Sequence, residues 1–210
     1  MTINFPRTAL LCWMAALLAA CAELPLQAPP GADAERAWQT RRETLSALQD
    51  WSLAGRIAIQ AEQESWNAAL RWTQQGVDYD ISLSSPLGQN VAQLHGDALG
   101  VVLRTADGEL SAQDGESLLY QSLGWRVPVA GLRYWVLGLP DPSASMAEED
   151  YELDAAGRLT RLHQSGWDIE MRRYTDINGV ELPDKLFLSR STPDGLVDIR
   201  LVVEQWQIKQ

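Results

Sequence analysis

Over most of this chain apolar side chains return at every second position. Leu53, Ile57 and Ile59 share one parity, as do Trp66, Ala68, Leu70 and Trp72, then Tyr79, Ile81 and Leu83, then Leu99, Val101 and Leu103. A period of two sends alternate side chains to opposite faces of an extended backbone, so each run reads as a half-buried antiparallel strand. The pattern resumes at Tyr151 and Leu153, at Leu159 to Leu162, at Trp167, Ile169 and Met171, at Leu186 and Leu188, and at Ile199, Leu201 and Val203. Between the runs stand Gln75-Gly76, Pro86-Leu87-Gly88, Asp107-Gly108, Gly157, Gly166, Asn178-Gly179 and Asp194-Gly195, the residues that short connections need. About ten or eleven short strands in meander order predict a mainly β (α+β) fold, with one large antiparallel sheet that curls and so acquires an inside.

Helical spacing interrupts this order. Ala34, Ala37, Trp38, Leu45 and Leu48 predict a helix from Asp33 to about Gln49. A second runs from Asp114, its cap, to Leu123 before Gly124, and a third from about Ala130 to Leu137 before Gly138 and Pro140. These helices are placed to cover the inside of the sheet. With no internal repeat, residues 33–210 read as a single domain, large enough to bury a core without disulfide or metal staples.

Residues 1–20 are set apart. Arg7 is their only charged side chain, and the apolar run from Ala9 to Ala20 is shorter than the roughly 20 residues a membrane-spanning helix needs, so a cleaved secretory signal is expected. It ends in Leu18-Ala19-Ala20-Cys21, which looks like a bacterial lipobox. That likeness implies diacylglycerol on the Cys21 thiol, cleavage before it and an N-acyl chain on the new amino group, with no other cofactor. Cys12 leaves with the signal. Ala22 follows where an aspartate, by resemblance to bacterial lipoproteins, would hold the protein in the inner membrane. The expected home is the periplasmic face of the outer membrane. Residues 21–32, rich in proline and without an apolar face, read as lipidated cysteine and flexible tether.

The formal net charge is −11, and loss of Arg7 takes it to −12. Such a chain is repelled by phosphate backbones, which excludes nucleic acid as a partner. His95 and His163 lack a neighbouring nucleophile pattern, and no phosphate-binding glycine motif occurs. Glu148-Glu149-Asp150 lacks the alternating oxygens of a calcium loop and reads as a solvated turn. A binding protein is expected rather than an enzyme.

Two features call for a role. Tryptophan is abundant, nine in all, of which eight stay once Trp13 leaves with the signal. Trp38 on the first helix, Trp72, Trp167 and Trp206 on strands and Trp135 on the third helix would suit an apolar cavity between sheet and helices, although core filling alone would also use them. The second is Leu83-Ser84-Ser85-Pro86-Leu87-Gly88-Gln89-Asn90, which sets Leu87 at the apex of a polar hairpin loop. Leu87 either folds back on the core or protrudes toward a membrane.

At these residues the chain resembles a known family, the outer-membrane lipoprotein receptor LolB. The likeness spans nearly all of the chain after the signal. It rests on Gly55-Arg56, the run Trp72-Thr73-Gln74-Gln75-Gly76, Ser85-Pro86-Leu87-Gly88, the block from Leu132 to Pro140 ending Trp-x-Leu-Gly-Leu-Pro, Tyr151-Glu152-Leu153-Asp154 and Trp206. The resemblance implies an incomplete, strongly curved antiparallel barrel with helices in its opening. Its cavity would hold the acyl chains of a lipoprotein delivered by a LolA-type carrier, for insertion into the inner leaflet of the outer membrane. It implies that Leu87 enters the membrane and that Trp38, Trp72, Trp135, Trp167 and Trp206 line the cavity of a monomer. Trp51, Trp66 and Trp125 lie outside the matched set. Without the resemblance, an envelope scaffold lacking a cavity and a carrier of free lipid remain open.

Overall fold

The computed structural model describes residues 31–61, 64–124, 127–144, 150–193 and 195–209. The signal segment, Cys21, the tether as far as residue 30, Trp125, Glu148 and Glu149 lie outside them. Helix α1 (Ala32–Ser46) leads into β1 (Asp50–Ala61), β2 (Glu64–Gln75), β3 (Asp78–Ser84), β4 (Asn90–Gly96), β5 (Val101–Thr105) and β6 (Gly108–Ala112). Helices α2 (Gly115–Leu123) and α3 (Val129–Trp135) follow, and then β7 (Asp150–Leu153), β8 (Leu159–Gln164), β9 (Trp167–Ile177), β10 (Val180–Thr192) and β11 (Gly195–Ile208).

All these strands join one antiparallel sheet in the order β6-β5-β4-β3-β2-β1-β11-β10-β9-β8-β7. Instead of one continuous meander there are two, and they meet where the first strand pairs with the last. Trp51 faces Ile208 at one end of this seam and Ala61 faces Val197 at the other. The register slips between Ala54 and Gly55, and there the backbones approach so closely that a Cβ on Gly55 would lie 2.1 Å from the Val202 carbonyl oxygen. This close approach is the reason for glycine in the Gly55-Arg56 pair.

The predicted parity holds across the seam. Ile57 and Ile59, Leu70 and Trp72, Leu83, and Ile199, Leu201 and Val203 are buried on the inner face. The outer face carries charge: Arg172, Lys185 and Arg200 stand over the Phe187 ring at 4.2, 5.5 and 5.7 Å from its centre. Helix α2 has the predicted ends, with the Asp114 carboxylate accepting the Ser117 N–H and Gly124 closing the helix in the left-handed region.

Helix α1 is seated on the β7–β8 turn. Gly157 in that turn has φ +73, and a Cβ there would fall 2.6 Å from both the Ala34 carbonyl oxygen and the Trp38 nitrogen. The Asp154 carboxylate shapes the turn by accepting the N–H groups of Ala156 at 2.9 Å and Arg158 at 3.0 Å, and the Arg158 Nε at 2.7 Å. Arg158 also donates to Glu181 at 2.8 Å, while Arg41 of α1 donates to the Glu181 carbonyl. Both guanidinium groups lie 5.2 Å from the centre of the Tyr174 ring, a cation–π clamp between helix and sheet. Burial alone would raise the Asp154 carboxyl. The backbone and side-chain hydrogen bonds from Arg158 and the N–H of Ala156 outweigh it and hold the group below its usual value.

Two stability changes follow. Gly157→Ala should cost about 2 kcal/mol or more, because the left-handed backbone and the helix above both resist a methyl group; an unchanged urea midpoint would mean that α1 is not seated there. A carboxyl held low in the folded state contributes above the ordinary carboxylate range, and that contribution disappears as pH falls through the lowered value. The gap in urea midpoint between the native chain and Asp154→Asn should therefore be present at neutral pH and close in acid.

Candidate functional site

The inner face of the β1–β5 half does not meet the helices flush. Between them lies a pocket lined by Ile57, Ile59, Leu70, Trp72, Ile81, Leu83, Ala92, Leu94 and Leu103 from the sheet. Leu119 of α2, Val127, and Val129 and Leu132 of α3 form its cover. The cavity left between these side chains is about 40 Å³. Every lining side chain is apolar apart from the Trp72 indole N–H, which donates to the buried Gln74 at 3.1 Å and so turns away from the ligand space. Tyr79 stands 6.5 Å from Trp72, its hydroxyl pushed up to about 12 by burial and by the Asp114 carboxylate, and it stays neutral. Such a lining offers no hydrogen bond or charge to a ligand and selects only for hydrocarbon.

Of the five tryptophans singled out from the sequence, Trp72 lines this pocket. Trp206 sits in the same aromatic row, linked through Trp51, whose ring lies 5.3 Å from Trp72 and 5.6 Å from Trp206. Trp135 and Trp167 form a separate pair 6.4 Å apart. Trp38 lies beneath α1 against Tyr151 at 6.0 Å. All are buried, but Trp38, Trp135, Trp167 and Trp206 are not in the pocket wall. Helix α1 contributes nothing to the lining either, so the cover is made by α2, α3 and the residues between them.

The Leu132 to Pro140 block explains itself structurally. The Trp135 N–H donates to Gln164 at 2.9 Å, the same amide oxygen accepts the Asp141 N–H at 2.8 Å, and its nitrogen donates to the Asp141 carbonyl at 3.0 Å. Arg133 donates to the Gly76 carbonyl at 2.5 Å. The block rivets α3 to the β2–β3 turn and to β8, and so fixes one side of the pocket cover.

Leu87 projects from the β3–β4 turn with 88% of its surface exposed. The turn beneath it is tied by the Ser85 N–H to Gln89 carbonyl and Gly88 N–H to Ser85 carbonyl bonds, each 2.8 Å, and by the Gln89 N–H to Ser85 Oγ at 3.3 Å. A well-bonded turn that holds a leucine in water is presenting it. The two histidines are surface residues, His95 2.9 Å from Asp80 and His163 2.9 Å from Asp168.

In class, then, this is an open, curled antiparallel half-barrel with an all-apolar pocket under a helical cover. A LolA superfamily protein from Nitrosomonas europaea shares that fold, with a TM-score of 0.55 over 82% of this chain and 94% of the other at 10% identity. The family model described as Outer membrane lipoprotein LolB matches residues 49–206. The Outer-membrane lipoprotein LolB of Nitrosococcus oceani is 43% identical over 91% of this chain and 92% of its own length, and that of Pseudomonas paraeruginosa 41% identical over 93% of each. The chain belongs to the outer-membrane lipoprotein LolB family.

Filling the pocket should separate wall from scaffold. Ala92→Leu enlarges a side chain already in the wall and should weaken binding of a fluorescent long-chain fatty acid several-fold, at a stability cost of about 1–3 kcal/mol for the added bulk. Trp135→Ala, by contrast, should cost about 3–5 kcal/mol of stability. Equal probe affinity in Ala92→Leu and the native chain would show that the ligand lies elsewhere.

Proposed function

We propose that this chain is an outer-membrane receptor that accepts lipoproteins from a LolA-type periplasmic carrier. It holds their acyl chains against the inner face beneath α2 and α3 and releases them into the inner leaflet. The observation that carries this reading is the pocket lined by hydrocarbon side chains, in a chain of the LolB family. The relatives' name supports the outer-membrane location, and lipid on Cys21 would supply the anchor.

The energetics suit a hand-over rather than a reaction. At about 0.8 kcal/mol per buried CH₂, a sixteen-carbon chain hides on the order of 12 kcal/mol from water, so a lipoprotein cannot cross the periplasm bare. The sequence encodes no nucleotide-binding motif, and transfer runs downhill by a difference in affinity between two apolar sites. The cavity as it stands is too small for an acyl chain. Entry requires Leu119, Val129 and Leu132 to give way, while Trp38, Trp135, Trp167 and Trp206 keep the surrounding walls in place.

Leu87 serves the last step. Burying one leucine offers only about 1.5–3 kcal/mol, enough to orient the receptor on a bilayer but not to anchor it. Leu87→Glu should therefore accept cargo from the carrier normally yet fail to pass it to liposomes, as measured by transfer of a purified lipoprotein with and without vesicles. Loss of acceptance together with release would assign Leu87 to receiving cargo and end this reading of the loop.

A further inference from the structure

Leu87 has company at its end of the sheet. Trp66 is 41% exposed and Leu196 52%. The register sets both at the level of the Leu87 turn. Ser84, where β3 enters that turn, pairs with Ala69, a few residues inside Trp66 on the neighbouring strand. Trp66 pairs with Ile59 and Ile59 with Ile199, while Ala61 pairs with Val197, the neighbour of Leu196.

Trp66 also has the parity of Leu70 and Trp72 on β2, and its cross-strand partner Ile59 lines the pocket. The pocket's inner face thus continues along β1 and β2 to a partly exposed indole at the strand ends. An indole suits a membrane–water boundary, since its ring is apolar and its N–H seeks water or a headgroup oxygen. Leu196 lies on the opposite, outer side of the same rim. The polar residues around these positions, Ser65, Ser85, Gln89, Asn90, Ser191 and Thr192, carry no charge, and the charges among the described residues at this end are of both signs: Arg190 beside Ser191, and Arg104 paired with Glu109 at 2.6 Å next to the β5–β6 turn. A neutral rim with charges of both signs behind it fits the balanced headgroups of a zwitterionic phospholipid surface.

We propose that Trp66 and Leu196 form, with Leu87, a footing on zwitterionic phospholipid, with Trp66 at the threshold where an acyl chain passes from the pocket face to the bilayer. The proposal rests on the membrane role of Leu87 and extends it from one side chain to a rim. It sets the strands end-on to the membrane, with the Leu99 turn at the far end.

The test uses the mature, lipid-anchored protein, in which an acylated Cys21 leaves any introduced thiol as the only one. Trp66→Cys, Leu196→Cys, Leu87→Cys and Leu99→Cys are each labelled with a nitrobenzoxadiazole dye. They are then compared in detergent-free solution with a chaperoning carrier and in phosphatidylethanolamine–phosphatidylcholine vesicles. Emission from positions 66, 196 and 87 should shift to the blue on vesicles, and emission from 99 should stay aqueous. Blue shift at 87 with 66 and 196 left aqueous would overturn the rim while sparing Leu87. An aqueous signal at 87 as well would sink the membrane role of Leu87 itself, and a shift at 99 alone would invert the orientation and overturn both. If Trp66→Cys fails to fold, Ala68→Cys, two residues along on the same face, reports the same threshold.

Discussion

The pairing of β1 with β11 is what the rest of the molecule depends on. It converts two separate meanders into one sheet and puts the chain's first and last strands at its centre, so that both outer edges, β6 and β7, are short strands. The aromatic row of Trp72, Trp51 and Trp206 crosses this seam on three adjacent strands. Trp206 anchors it to the neighbouring β10 by donating to the Pro183 carbonyl at 3.1 Å. A sheet joined at its middle and free at its edges can curl without closing, and the gap is where the helices find room.

Within that curl the large aromatics and the aliphatics are sorted by a simple chemical need. An indole brings an N–H that is costly to bury without an acceptor. Trp72, Trp135 and Trp206 each reach one, in Gln74, Gln164 and the Pro183 carbonyl, whereas the buried N–H groups of Trp38 and Trp167 have no acceptor among the described residues, so the need is met for three of these five. A wall facing hydrocarbon supplies no such acceptor, so it is built mostly from leucine, isoleucine and valine. Tryptophan abundance therefore marks rigid framework around the pocket more than the pocket surface. Trp72 belongs to both because Gln74, two residues along its own strand, takes the indole proton from behind.

Much of this was readable in advance because it is local. Strand parity predicts which face of Ile57, Leu70 or Ile199 is buried, and Asp114 and Gly124 mark the ends of α2. The apex position of Leu87 between two polar flanks singles it out, but leaves open whether the side chain folds back or protrudes. Partnering between distant strands was not readable, since an alternating run looks the same beside any neighbour; nothing in β11 names β1. The same limit hid the division of the inner face into packed core and open pocket, which depends on how closely α2 and α3 approach rather than on residue type. It also hid Trp51, whose position in the aromatic row follows from the β1–β2 and β1–β11 registers together.

The central position of the C-terminal strand governs the order in which the molecule can be made. β11 comprises the 14 residues from Gly195 to Ile208. Until they emerge, neither meander has the neighbour on which it closes, and each exposes an unsatisfied flank of backbone amides and carbonyls. Assembly of the central seam must wait for β11, and topology of such long sequence separation forms slowly.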